Sequence, residues 1–583
     1  MPPAKRAARK TSTGSTAKAA PGSSASGSGG DGTSGTRKQA TSTARSRSGT
    51  TKTSGAKKTA GTKKTASRTQ RTSAASRGTT ARTGPKATTK KSSPAAPNKS
   101  APRRKGSSGP STSGKRAPAT SRGTRDTAMG DRDGASRLDA FRRLAEARAG
   151  GDMVPLPRNI DGHDRRIHVR QTIREDHQSR IASASDDAKE KFDKLSGSLF
   201  SFFRGTALLF YRDMAGEDAW MPTVLCLGDV HPENFGVMPS ADNVPFFGVN
   251  DFDEAYYAPF TWDLKRGAVG FILGAEEEGG KGRKKQRRIA EMFIKGYVEG
   301  MSRFARDGDE THHQLRIDNA PKIVKTLLED SLNARAEWLK EDYHDEYGRG
   351  FRASKKLVPE STRVEEFQEV LNRFVEESGM TVPPRAGEMK VKDVAARIGQ
   401  GTASLGLTRY YVLVEGPTKD GSDDVIIELK QARRSALDGL VPPTDFGIQG
   451  TGERITEAAR VQLVNGDVFF GHVEHEDMSF MTRERSPYKN EIDLDELSTK
   501  AWRKYARLCG QTLAHAHALS DDAGERDVDI EPLILDAIGP PKLFLEDMLA
   551  FAMDAADRVR RDHAHFRADH ALGAFASVDR VFR

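Results

Sequence analysis

No Phe, Tyr, Trp, Leu, Ile or Val occurs between Met1 and Gly130, where Ser, Thr, Ala, Gly and Pro alternate with Lys and Arg. Without apolar side chains nothing offsets the backbone entropy lost on folding, so this stretch is expected to be disordered. Apolar periodicity begins near Ser136, where SRLDAFRRLAEARAG has the spacing of a short amphipathic helix. From Phe192 to Met214 the spacing reads as helix, turn, helix. Two short apolar runs follow, TVLC ahead of GDVHPENFG and VPFFGV ahead of NDFDEA, each a strand that stops at a polar cluster. Strands ending this way are a usual means of presenting reactive groups. Beyond Trp262 the period is helical through DLKRGAVGFILGA and RKKQRRIAEMFIKGYVEGMSRF. Residues 305–390 read as charged helical material. Between Val391 and Ala432 the period shortens to two strands around a Gly-rich turn and a third strand, IIELKQA. The remainder reads as largely helical.

Charge divides the chain at the same place as hydropathy. The first 130 residues hold 29 Lys and Arg against Asp31 and Asp126, a net charge of +27, so within a total of +12 the rest carries −15. The expected organisation is a basic segment, 1–130, and a catalytic-type domain, 131–583. Clusters such as Lys57–Lys58, Lys63–Lys64 and Arg103–Lys105 suit non-specific phosphate neutralisation, so nucleic acid is an expected partner of residues 1–130; a solubilising role is the alternative. The segment contains no aromatic residue to stack on bases. It resembles the basic tails of linker-histone-like bacterial proteins, which implies a cytoplasmic, nucleoid-associated location. Cys226 and Cys509 are the only cysteines, too few for a disulfide scaffold and compatible with a reducing compartment. The basic N-terminus lacks the apolar stretch of a secretory signal, although its Arg- and Ser-rich text is also that of a transit peptide. No run of about 18 apolar residues would span a membrane. No heptad pattern points to an oligomeric state.

The candidate chemistry lies where the two short strands stop. GDVHPENFG supplies Asp229, His231, Glu233 and Asn234, and NDFDEA supplies Asp251, Asp253 and Glu254. Carboxylates gathered this closely repel one another unless a cation neutralises them, and oxygen donors of this kind suit magnesium shared with phosphates. Arg204, in FFRG, is placed either to clamp a phosphate or to hold one of these acids. Gly399, Gly401 and Gly406 lie in the turn between strands, followed by Lys430. His515 and His517, two apart on a helix, cannot chelate one ion together, and His563 and His565 share that defect and read as helix surface. Cys226 reads as buried packing.

GD-x-HP-x-N followed by a strand ending in Asp251 resembles the catalytic segment of aminoglycoside phosphotransferases and other protein-kinase-like enzymes. That resemblance implies an α+β, two-lobed kinase-like fold and an ATP- and magnesium-dependent phosphotransferase of unknown acceptor. It further implies Asp229 as base toward the acceptor hydroxyl, Asn234 and Asp251 as magnesium ligands with Asp253 as a second possibility, and Asp263 as support for the loop. The Gly-rich turn and Lys430 resemble the phosphate-covering loop and nucleotide-contacting Lys of a kinase small lobe, here residues 391–470, with Glu453 or Glu457 offered as the partner of Lys430. They follow the catalytic segment by about 170 residues, the reverse of kinase order. Either the lobes are circularly permuted or the later segment is an unrelated hairpin. FFRGTALLFYRDM, GDVHPENFG, NDFDEA and IIELKQA together also resemble an uncharacterised bacterial family across about residues 160–575, with a His at the position of His517. Two other functions fit the residues: a metal-dependent phosphoester hydrolase, which requires His231 as a direct ligand, and a non-catalytic nucleic-acid-associated protein.

Overall fold

In the computed structural model the described residues are 142, 146, 150 and 157–578, apart from 184, 333, 400–404, 442–449, 489–490 and 522–528. The basic segment 1–130 and Gly401 lie outside them. Of the helix expected from Ser136, positions 142 and 146 are described and helical.

Strict alternation builds the largest sheet. In β8 (Val425–Gln431), Val425, Ile427 and Leu429 belong to one core cluster, with Phe367, Leu371 and Phe374 of helix α10 (Val364–Ser378). Ile426 belongs to another, with Leu339 of α9 (Arg335–Asp342), so Glu428 and Lys430 share its face by the two-residue period. Covered on both sides, the neighbouring strand β7 (Arg409–Val414) is buried throughout, which explains its nearly continuous apolar text. The full sheet is antiparallel, with order β5-β6-β7-β8-β10-β9, the others being β5 (Leu357–Pro359), β6 (Val391–Arg397), β9 (Gly471–His475) and β10 (Met478–Glu484). Helix α11 (Thr451–Gln462) links β8 to β9. The three strands expected between Val391 and Ala432 are β6, β7 and β8. The β9–β10 hairpin corrects the expectation that the remainder is helical.

The two early strands do not share a sheet. β1 (Thr223–Cys226) pairs antiparallel with β4 (Tyr256–Pro259), and β2 (Phe235–Pro239) pairs with β3 (Pro245–Val249) as a hairpin. Both polar loops therefore emerge beside one another, at the ends of two small ribbons. Helix α6 (Phe260–Glu277) follows directly and is buried at every position from Phe260 to Ala275, as a helix apolar on nearly all sides must be. It packs beside α7 (Arg283–Asp307), which lies against α12 (Thr499–Ala518). Gly296 of α7 and Gly510 of α12 each lie where a Cβ would strike the backbone of the other helix, so the pair is closer than side chains would permit.

Among the described residues from 157 on, α1 (Gly162–Asp176), α2 (Gln178–Ser183), α3 (Asp186–Gly197), α4 (Leu199–Gly205) and α5 (Ala207–Arg212) precede β1. Further helices among the described residues are α8 (Lys322–Asp330), α13 (Ile530–Ile538) and α14 (Pro541–Ala571). The buried Arg165 of α1 bridges Asp213, just after α5, at 2.7 Å and Asp562 of α14 at 2.6 Å, fastening the first helices to the last. His563 of α14 is 9 % exposed and bonds through Nε2 to the Leu195 carbonyl at 3.0 Å, correcting its reading as helix surface. Among the described residues no helix is long and apolar enough to cross a membrane.

Burial of histidines gives the fold a pH dependence. Burial pushes His515 down to about 4, and burial with neighbouring Arg165 pushes His168 down to about 4, against an ordinary 6.5. Between these values the unfolded chain binds protons that the native chain refuses, so this contribution is complete above about pH 6.5 and is lost as pH falls toward about 4. The urea midpoint is expected to fall across that window, and His168→Gln to flatten the slope. An unchanged slope in the variant would contradict this assignment.

Candidate functional site

Two loops and one strand converge. Leu227–Asn234 follows β1, Asn250–Ala255 follows β3, and Lys430 projects from β8. Lys430 is 5 % exposed, and its Nζ lies 2.5 Å from Asp253 Oδ2 and 3.7 Å from Asp251 Oδ1. Residues 177 positions apart, Asp253 and Lys430, thus form an ion pair in which one ammonium faces two carboxylates.

The first loop is fixed from below. Asp263, on α6 and fully buried, accepts the Leu227 N–H at 2.6 Å and the Gly228 N–H at 3.0 Å. His517 of α12 lies 3.2 Å from the same carboxylate through Nε2, and its Nδ1 meets the Tyr297 hydroxyl at 2.9 Å. Cys226, also fully buried, brings its Sγ within 4.8 Å of ligand atoms on Asp263 and His517, and the thiol lies 3.5 Å from the Ala258 carbonyl. Gly228 has φ +75°, and a Cβ there would overlap the Glu254 carbonyl, so the two motif loops touch through a position only glycine can fill.

Asp229 is gripped rather than free-standing. Arg266, one turn along α6 from Asp263, donates to Asp229 Oδ1 from Nε at 2.9 Å and from Nη2 at 2.6 Å. Its guanidinium lies over Phe203 at 4.3 Å and Phe210 at 5.2 Å, so the cation is held by ring faces as well as by the acid. Burial raises the Asp229 carboxyl, and Arg266 opposes that shift. Nδ2 of Asn234 donates to the Asp229 carbonyl at 2.6 Å, which commits the nitrogen end of that amide.

His231 is 2 % exposed, and donors meet both of its ring nitrogens: the Glu233 N–H lies 3.2 Å from Nδ1 and Arg204 Nε 3.2 Å from Nε2. Burial, then Arg204 and Arg266, hold the ring well below its ordinary pKa, so it is neutral and can accept at one of those nitrogens. Arg204 also forms an ion pair with Glu233, so of its two expected roles it occupies the loop-holding one in this structure.

The second loop is tied to the strand region. Glu254 accepts the Ala436 N–H at 2.5 Å and lies 3.2 Å from Arg433, which also pairs with Asp176 at 3.0 Å. Arg454 of α11 donates to the Asp253 and Arg433 carbonyls at 2.7 and 2.9 Å. Gly399 and Gly406 flank the β6–β7 turn at φ +66° and +78°, and Arg180 of α2 donates to the Leu405 carbonyl at 2.7 Å. Glu457, one of the two partners offered for Lys430, pairs instead with Arg460 at 2.7 Å. Arg266, Arg433, Arg454 and Arg180 were not singled out by sequence. The nearest signal was the position of Arg266, three residues after Asp263 and so on the same side of α6.

These features define a class: α+β proteins in which two acidic loops on small β-ribbons meet a lysine from an antiparallel sheet. The chain belongs to the family described as uncharacterized protein conserved in bacteria (DUF2252), whose model matches residues 184–569, bearing out the family resemblance read from the motifs. No curated protein and no solved structure matches it.

Proposed function

We propose that the chain is an ATP- and magnesium-dependent phosphotransferase on a two-lobed, kinase-like scaffold whose small lobe follows the catalytic loop in the chain. The observation that carries this reading is the placement of Lys430 against Asp251 and Asp253. In protein kinases a Gly-rich loop, a Lys on the third strand and a helix occur in that order, and the catalytic-loop Asn and a later Asp hold magnesium. The order β6, Gly-bearing turn, β7, β8 with Lys430, then α11 follows that plan. The departure is that Lys430 pairs here with the loop acids.

The donor set fits magnesium, since Asp251 and Asp253 offer carboxylate oxygens and Asn234, its nitrogen committed, offers an amide oxygen. The Lys430 ammonium marks the place where those acids need a cation. Magnesium bound there would neutralise charge on the nucleotide phosphates. Lys430 would then be available to contact the phosphates beneath the Gly-bearing turn. Arg266 holds Oδ1 of Asp229, which leaves Oδ2 to take the proton of the acceptor hydroxyl. The acceptor oxygen bonds to the γ-phosphorus as the bond from that phosphorus to the β–γ bridging oxygen breaks, and ADP leaves with the bridging oxygen.

The hydrolase reading needs a His231 lone pair directed at a metal, and N–H groups stand at both ring nitrogens. Magnesium-dependent ADP formation from ATP is therefore expected to fall by roughly 10²–10⁴-fold in Asp229→Asn and to change by less than about tenfold in His231→Gln. Preferential cleavage of a simple phosphoester, abolished by His231→Gln, would favour the hydrolase instead.

A further inference from the structure

Two arginines at the end of β10 keep donors that no described residue takes up. Arg483, in β10, and Arg485, just beyond it, are two positions apart and so share a face of the sheet with Glu428, the partner of Arg483 in β8. Arg483 donates from Nε to Glu428 Oε2 at 2.6 Å, and Arg485 donates from Nε to the Tyr343 hydroxyl at 3.0 Å. Nη1 and Nη2 of both make no hydrogen bond among the described residues, and all four nitrogens remain accessible to solvent. Each guanidinium is therefore held at one edge while its outer fork is left to meet a solute.

Both arginines stand in the wall of a cleft between β10 and the β2–β3 hairpin, together with Val237 and with Asn250, the residue before Asp251. Asp251 is close enough to attract the Arg483 guanidinium. The enclosed volume is about 30 Å³, room for roughly two oxygen-sized atoms, so the end of a solute enters rather than the whole of it. The acids of the wall are already engaged. Glu428, which is buried, is shared by Arg483 and Arg409, the latter at 3.0 Å. Glu484 is shared by Arg335 at 2.5 Å and Arg385 at 2.9 Å, and Asp467 accepts the Phe469 and Glu484 amides at 3.0 and 2.7 Å. Arg485 is bound to a phenol rather than to an acid. With Lys430, Asp251 and Asp253 included, six cations meet five carboxylates, so the cleft is not an acidic one that would turn an anion away.

We propose that this cleft is a subsite for a phosphoryl group, held beside Asp251 by the outer forks of Arg483 and Arg485. A planar fork gives two parallel N–H bonds to two oxygens of one such group, which matches the size of the cleft. Two guanidiniums also match its charge of about −2. In the reaction proposed above the group belongs either to the nucleotide or to a phosphorylated acceptor. That assignment of source rests on the phosphotransferase reading, whereas the subsite itself does not.

The probe is inorganic phosphate, with acetate as the carboxylate control, titrated into the full chain at constant ionic strength while the melting temperature is followed. Phosphate is expected to raise it saturably with a midpoint of about 1 mM, and acetate to act at least tenfold more weakly. Arg485→Gln, which gives up only a bond to a tyrosine hydroxyl, and Arg483→Lys, which keeps a cation beside Glu428, are each expected to weaken phosphate at least tenfold. These variants also account for phosphate bound by residues 1–130 and for general stabilisation by salt, since neither substitution alters those. No saturable response, an equal midpoint for acetate, or a response unchanged in both folded variants overturns the subsite. Repeating the titration with magnesium and a non-hydrolysable ATP analogue that itself raises the melting temperature identifies the source. Loss of the phosphate response assigns the subsite to the nucleotide, and an undiminished response assigns it to the acceptor. An analogue without effect beside a retained phosphate response overturns the phosphotransferase reading and leaves the subsite standing.

Discussion

Gly228→Ala is expected to destabilise the protein by about 3 kcal/mol or more and to disable the loop beside it. Two effects add. An L-residue at φ +75° carries a left-handed penalty of about 1–2 kcal/mol, and the new methyl is driven into the Glu254 carbonyl, an overpacking that costs about 1–3 kcal/mol. Neither neighbour can yield cheaply, because the Gly228 amide is held by Asp263 and Glu254 is tied to Ala436 and Arg433. Urea denaturation and magnesium-dependent ATP turnover measure the two consequences. A variant with native stability and turnover would show that the two motif loops do not meet at this position.

Lys430→Met is expected to have the second large effect, and magnesium to reverse part of it. Removing one partner of a buried ion pair costs about 3–5 kcal/mol, reduced here toward about 2 kcal/mol because the Asp251 side chain is 39 % exposed. What remains is two carboxylates sharing a site without their ammonium. Millimolar magnesium should therefore raise the melting temperature of Lys430→Met more than that of the unsubstituted protein, in which Lys430 already occupies the place between the acids. Equal responses to magnesium would mean that Asp251 and Asp253 are not a cation site.

The legible part of this site was chemical and local. GDVHPENFG and NDFDEA concentrate polar residues where short apolar runs stop, and that contrast located both loops. β8 was legible because IIELKQA places a lysine at the end of a short, strand-like apolar run. Contacts that depend on tertiary closeness were not legible. Nothing in the spacing tells that Lys430 meets Asp253, since the pairing is made by sheet and ribbons docking across 177 residues. Arg266 sits beside Lys265 near the start of a helix, where neither basic residue is marked out by spacing, and its aromatic surroundings come from α4 and α5, more than 50 residues earlier. The β9–β10 hairpin was missed because charged residues such as Glu474, Glu476 and Asp477 interrupt its alternation. His563 was misread for a related reason: α14 is amphipathic only weakly along its length, so position alone does not tell its buried face.

In the proposed function, Lys430, Asp251 and the loop of Asp229 together form a nucleotide site. The measurement that tests it most directly is calorimetric binding of a non-hydrolysable ATP analogue to the full chain, with and without magnesium, in the unsubstituted protein, Lys430→Ala and Asp251→Ala. Residues 1–130, at +27, supply an internal control, because polyanion binding by that segment requires neither magnesium nor Lys430. A saturable, magnesium-dependent component near one site per chain is expected, and it is expected to be lost in both variants. Binding that is indifferent to magnesium and unchanged by either substitution would contradict it.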